Sequence, residues 1–254
     1  MEEARFANEV LLRRGRSFDI LEATDIAGRR LIIKRAHHLD ELGKLRFRRE
    51  ARLGCLLNHD GLASVLDHAD EWIAFERLDG PLSHGRPRSD GLAALKGIAD
   101  TLAHLHARGV VHRDLKPEHI MFRAGAPVLI DLGVAGLAGN EDPLECREVV
   151  GSPAWMAPEQ LFGASPASTA DIWSFSAVAH WVVTSRPLYA GTAEAVLEAR
   201  RSGLEWTVDF SSVGSAAIVD LLQAGLAPPA DRPTAREIAA ALAEFIRGDT
   251  AVKP

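Results

Sequence analysis

The chain has 254 residues, 47 % of them hydrophobic and 25 % charged, so it can bury a core and is not a disordered segment. A formal net charge of −6 excludes a protein built mainly to hold nucleic acid or an anionic membrane surface. Two cysteines, Cys55 and Cys146, are too few for a disulfide framework and point to a reducing compartment.

The opening segment MEEARFANEV is charged and has no apolar h-region, so it does not read as a secretory signal. The longest apolar stretch, residues 172–183, is interrupted by Ser174, Ser176 and His180 and is too short to span a bilayer. The expectation is a cytoplasmic protein with no nucleic-acid and no membrane partner.

Strands are predicted over residues 10–12, 19–24 and 30–35, broken by Gly15 and by Ala27-Gly28. A charged helix is predicted over 40–57, with Asp40 as N-cap and Leu42, Leu45, Arg49, Leu53, Leu56 and Leu57 as its stripe. Two short strands follow at 64–68 and 72–76, and Asp79-Gly80-Pro81 breaks the pattern. A helix over 90–108 carries Leu92, Leu95, Ile98, Leu102 and Leu105 at spacings of three and four and closes at Gly109. A short strand at 128–130 and helices at 170–184 and 234–247 complete the pattern. A small β-rich part thus precedes a larger α-rich part, with the boundary near residue 79.

The chemistry is concentrated in HRDLKPEHIMF, residues 112–122, followed by Asp131-Leu132-Gly133, Ala157-Pro158-Glu159, DIWSFS at 171–176 and DRPT at 231–234. Upstream, LIIK ends at Lys34 and a helical Glu50 follows. This order and spacing resemble the protein-kinase signature set, over about residues 9–247. Lys116-Pro117 after Asp114, with Ser152 in GSPAW, resembles the Ser/Thr branch, and GSPAWMAPEQ resembles its bacterial members. The resemblance implies an α+β bilobal kinase fold in a single domain over 1–254: an N-lobe to residue 79, a C-lobe over 80–247 and a tail over 248–254. It further implies transfer of the γ-phosphate of ATP to a Ser/Thr hydroxyl of a protein substrate, with Mg²⁺ or Mn²⁺.

Residue by residue, the resemblance makes Asp114 the acceptor of the substrate hydroxyl proton. Lys116 would reach the transferring phosphate, and Asp131 would ligate the metal. Lys34 would hold the α- and β-phosphates, with Glu50 fixing its head group. Taken alone, Lys34 and Glu50 would read as solvated surface charges. The nucleotide pocket would be formed by Gly15, Ile20, Ile32, Lys34, Phe75, Met121 and the hinge Glu76-Arg77-Leu78. His112 and Leu132, with Phe75, would form an apolar column linking the lobes. Asp171 would cap the catalytic loop, Glu159 and Arg232 would form a buried ion pair, and Ser152 would bond to Asp114 and Lys116.

The sequence also departs from the family pattern. Of the expected G-x-G-x-x-G only Gly15 remains, and Arg13, Arg14 and Arg16 either supply charge to the phosphates or face solvent. Ile32 replaces the alanine over the base and narrows the slot, with Met121 opposite. His119 stands where the family has a metal-ligating asparagine. As a ligand it would shift the preference from Mg²⁺ toward Mn²⁺; the other reading leaves it as a loop cap. Gly54 and Ser176 replace a leucine and a glycine without disturbing the pattern. Residues 134–150 contain no Ser, Thr or Tyr, so the loop is expected to be ordered without phosphorylation. Arg113 would pair with one of Glu141, Asp142, Glu145 and Glu148, or these acids are solvated. A pseudokinase scaffold is the alternative to an active enzyme, and a small-molecule kinase of the aminoglycoside type is a more distant one. Regulation is expected to come from a partner protein.

Overall fold

A computed structural model describes residues 5–82, 88–138, 151–163, 165–202 and 208–251. Three strands open the chain: β1 (Phe6–Arg14), β2 (Phe18–Asp25) and β3 (Arg30–Ala36). Each is longer than the apolar runs suggest, because antiparallel pairing carries the ladder through the flanking charged residues. The β2–β3 turn is set by Asp25, whose Oδ1 accepts from the backbone N–H groups of Ala27 and Arg29, both at 2.9 Å. Gly28 takes the left-handed conformation that this turn needs, at φ +79°. Alternation buries Leu21, Ala23, Leu31 and Ile33 on one face of the sheet. The other face therefore carries Ile20, Ile32 and Lys34.

Helix α1 (Glu41–Leu56) begins at Asp40, whose Oδ1 accepts from Gly43 N–H at 2.7 Å. Its buried residues are Phe47, Glu50 and Ala51; of the predicted leucine stripe, Leu57 at the C-cap is buried and Leu53 packs against the helical core, while Leu56 is 66 % exposed. Phe47 and Ala51 pack with Ile73, Val65 and Phe75, which turns this face of the helix toward the sheet. Strands β4 (Val65–His68) and β5 (Trp72–Glu76) complete a five-stranded antiparallel sheet in the order β1-β2-β3-β5-β4.

Gly54 of α1 lies directly over β4. A Cβ built there would come within 2.3 Å of Val65 Cγ2. The position is thus filled from the strand side, and Gly54 is required rather than merely tolerated. Gly54→Leu is expected to destabilise the chain by about 1–3 kcal/mol in urea unfolding. Val65→Ala in the same chain should recover most of that loss. A Gly54→Leu chain as stable as wild type would sink this account.

The segment after β5 runs beside β7 (Ile120–Arg123): Asp79 N–H donates to Phe122 O and Leu82 N–H to Ile120 O, both at 2.7 Å. Arg123 ties this junction together. Its guanidinium forks onto the Glu76 carboxylate and donates to the carbonyls of Asp60 (2.7 Å) and Leu62 (3.2 Å).

The helical part is built around α2 (Arg88–His106) and α3 (Ser168–Thr184). Leu92, Leu95, Ile98, Leu102 and Leu105 are all buried in its core, and Gly109 ends the run at φ +71°. Helix α3 is apolar nearly all round and, apart from the half-buried Trp173, is buried from Ala170 to Trp181, as expected of a central helix. Short strands β6 (Val110–Val111), β8 (Ala126–Leu129) and β9 (Gly136–Leu137) pair as β6–β9 and β7–β8. Helices α4 (Ala193–Arg201), α5 (Ala216–Gly225) and α6 (Ala235–Ala251) complete the fold. Helix α6 continues to Ala251, so the segment expected as a tail from 248 begins as helix. Among the described residues no helix is long and apolar enough to cross a membrane.

Candidate active site

A cleft of about 780 Å³ separates the sheet from the helical part. Ile20, Ile32 and Lys34 form its upper wall, Phe75, Glu76 and Leu78 its back and Met121 its floor. Lys116, His119, Asp131 and Ser152 line the end away from Leu78.

The loop between β6 and β7 is held from below by Asp171. This side chain is fully buried in α3, and its carboxylate accepts from the N–H groups of His112 and Arg113 and from His106 Nε2, all at 2.8 Å. Burial raises the Asp171 carboxyl, but the His106 bond and the loop amides outweigh it and hold it below the usual carboxylate range. Arg113 takes φ +69°, a conformation a non-glycine residue keeps only when its surroundings enforce it. Asp171 and Gln160 supply that enforcement, since Gln160 Nε2 donates to Arg113 O at 3.0 Å. His112 Nδ1 accepts from Asp114 N–H at 3.3 Å while Nε2 donates to Ile130 O at 3.2 Å.

This loop presents Asp114 with its two oxygens in different states. Oδ2 accepts from Lys116 Nζ at 3.1 Å, and the same ammonium donates to Ser152 Oγ at 2.8 Å. Oδ1 is buried with no hydrogen-bond partner among the described residues. Gly151 closes over it at φ +117°; a Cβ there would lie 2.8 Å from Arg113 O, so no other residue fits. Of the two bonds the resemblance implies for Ser152, the one to Lys116 is present and, among the described residues, no direct one to Asp114 is. Instead Lys116 stands between them and bridges both.

A second group of charges lies beside the first. Lys34 Nζ is 2.6 Å from Glu50 Oε2 and 3.7 Å from Asp131 Oδ1. Burial opposes the Lys34 charge, but the two carboxylates outweigh it and raise the ammonium above its ordinary value. Burial pushes the Glu50 carboxyl up to about 7 despite Lys34, and Asp131 adds to the rise. Asp131 is 35 % exposed to the cleft and sits at φ +66°. Partial burial raises its carboxyl, but Lys34, His119 and the Gly133 amide hold it well below the usual range. His119 Nδ1 donates to Asp114 O at 2.9 Å, which leaves Nε2 facing Asp131 Oδ2 at 3.6 Å. Burial lowers this imidazole below its ordinary value, against the pull of Asp131 and Asp114. One ring therefore caps the loop with one nitrogen and faces a carboxylate with the other.

One expected member is not where the pattern put it. Gly15 is outside the cleft lining; its N–H donates to Asp19 Oδ1 at 3.3 Å and its carbonyl accepts from His37 Nε2 at 3.2 Å, which holds it in the β1–β2 turn. Phe75 lines the cleft and packs with Phe47 and Ile73, while Leu132 lies in the large core of the helical part. The acids expected to meet Arg113 (Glu141, Asp142, Glu145 and Glu148) lie outside the described residues. Arg113 itself donates to Val134 O at 3.4 Å.

Away from the cleft, Arg232 forks onto Glu159 at 2.5 and 3.1 Å and also donates to Ala227 O and Thr169 O, each at 2.8 Å. The guanidinium also lies over the Trp173 ring, 5.1 Å from its centroid. Gly151, Gln160, His106 and Arg123 complete the supports. No local periodicity marks them, since each acts across more than forty residues of chain or by fitting a gap.

The sequence matches the family model described as a protein kinase domain over residues 65–242. It is 35 % identical over 162 residues to the serine/threonine-protein kinase PkaA of Streptomyces coelicolor, covering 58 % of this chain and 30 % of that protein. It is 34 % identical over 221 residues to the serine/threonine-protein kinase PknK of Mycobacterium bovis, covering 80 % of this chain and 18 % of that protein. It is 30 % identical over 210 residues to the serine/threonine-protein kinase PknA of Mycobacterium tuberculosis, covering 74 % of this chain and 48 % of that protein. The chain thus spans less than half the length of these relatives.

Proposed function

Because the chain belongs to the protein kinase domain family, its sheet and helical part being the two lobes of that α+β fold, we propose that it transfers the γ-phosphate of ATP to a serine or threonine hydroxyl of a protein. The observation that carries this reading is the Asp114 carboxylate. One oxygen is held by Lys116 and the other is buried, without a hydrogen-bond partner among the described residues, and next to Ser152's loop. Such an oxygen is ready to take the proton of an entering hydroxyl. Lys116, between Asp114 and Ser152, is placed to balance charge on the moving phosphate, and Lys34, fixed by Glu50, to hold the phosphates that remain. Transfer of labelled γ-phosphate to a generic protein substrate tests the reading; a wild-type chain that binds ATP but transfers nothing would leave the pseudokinase scaffold in its place.

Asp131 and His119 would hold a divalent cation. The residues present fit one: His119 Nε2 has its lone pair turned toward a carboxylate oxygen, an arrangement that repels unless a cation lies between. Bound there, the cation would neutralise phosphate charge. Among the described residues no group of three or more His, Cys, Asp or Glu side chains converges, which suits a cation completed by phosphate oxygens and water. An imidazole nitrogen suits Mn²⁺ better than Mg²⁺. His119→Asn is therefore expected to move the Mn²⁺-to-Mg²⁺ ratio of turnover several-fold toward Mg²⁺. An unchanged ratio would leave His119 only as the cap on Asp114 O.

Activity without phosphorylation between Asp131 and Gly151 belongs to the same reading, because that stretch carries no hydroxyl side chain.

A further inference from the structure

The β1–β2 hairpin that closes over the cleft contains an irregularity. Leu11 pairs with Leu21 and Arg13 with Ile20, so Leu12 is an extra residue between the two pairs. A bulge of this kind sets two residues against one and re-aims a side chain. Here Leu12 and Arg13 both line the cleft together with Ile20. Strict alternation would have turned one of the two to the opposite face.

Arg13 also differs from the other cations of the cleft. Lys34 is paired with Glu50, Arg77 with Glu22, and Lys116 with Asp114. Among the described residues, Arg13 is the cleft-lining cation with no acidic partner. The hairpin meanwhile lacks the amide cradle of a glycine-rich loop, since Gly15 gives its N–H to Asp19. We infer that Arg13 grips the phosphates of the bound nucleotide and replaces the missing loop amides, a guanidinium fork being suited to phosphate oxygens. This rests on the nucleotide-dependent function proposed above.

The test is direct binding rather than turnover. The full chain is titrated with a fluorescent ATP analogue and competed with ATP or adenosine. Arg13→Ala is expected to weaken ATP about tenfold or more and to leave adenosine unchanged. Arg13→Gln, which keeps the stem without the charge, should behave likewise, and Arg13→Lys should recover part of the loss. Arg14→Ala, the neighbour outside the cleft lining, should match wild type. Unchanged ATP affinity in Arg13→Ala, or an equal loss for ATP and adenosine, would overturn the assignment while leaving the kinase reading intact. A wild-type chain that binds neither ATP nor adenosine would overturn both.

Discussion

Asp114→Asn is expected to reduce phosphate transfer by on the order of 10²–10⁴, the usual contribution of a positioned general base. The substitution keeps the size of the side chain, and its amide oxygen can still accept from Lys116, as Oδ2 does at 3.1 Å. The buried Oδ1 position then carries an NH₂ group, or an oxygen with no useful basicity, and the hydroxyl proton has no acceptor. Melting temperature and ATP affinity should stay near wild-type values, because the asparagine has the same size and its amide oxygen keeps the contact with Lys116. Full turnover in Asp114→Asn would end the assignment of Asp114 as base. A loss of turnover together with a large fall in melting temperature would make it a structural residue instead.

The largest effect on stability is expected at Arg232. Its side chain is 1 % exposed, and it satisfies Glu159 and the carbonyls of Ala227 and Thr169 at once. Arg232→Ala leaves a largely buried carboxylate without a cation, two carbonyls without donors, and a cavity over Trp173. The cost should be about 3–5 kcal/mol in urea unfolding. Glu159→Gln should cost less, because Glu159 is 21 % exposed and the amide oxygen still accepts from the guanidinium. If Arg232→Ala cost under about 1 kcal/mol, the pair would be an ornament of the surface rather than a tie between α3 and the chain before α6.

The parts of the molecule that the sequence reveals are those whose signal is local. The 3–4 spacing of Leu92 to Leu105 predicts the buried face of α2, and the family resemblance names Ile20, Ile32 and Lys34, which line the cleft. Asp114, Asp131 and Lys34 stand in motifs whose roles come from the family resemblance; taken alone, Lys34 reads as a surface charge. What stays hidden depends on distant partners. The Phe47–Ala51 face of α1 is chosen by Ile73, Val65 and Phe75, so the leucine stripe is only partly right: Leu57 is buried and Leu56 ends in solvent. The bulge at Leu12 is a property of pairing with β2, and nothing in LLRRG announces it. Gly54 and Val65 make sense only as a pair, and Gln160 only beside the Arg113 carbonyl.

Arg123 has a mechanical consequence. Its guanidinium binds the chain on both sides of β4 and β5, at Asp60, Leu62 and Glu76, while its own backbone belongs to the helical part. A rigid stitch at that corner fixes a fulcrum behind the cleft. Relative movement of the two lobes then becomes a rotation with a lever arm that grows toward the β1–β2 hairpin. A few degrees at the fulcrum barely disturb Phe75 and Leu78, yet swing Leu12 and Arg13 through the widest arc. The gate of such a jaw is its tip, and its back can remain shaped throughout the stroke.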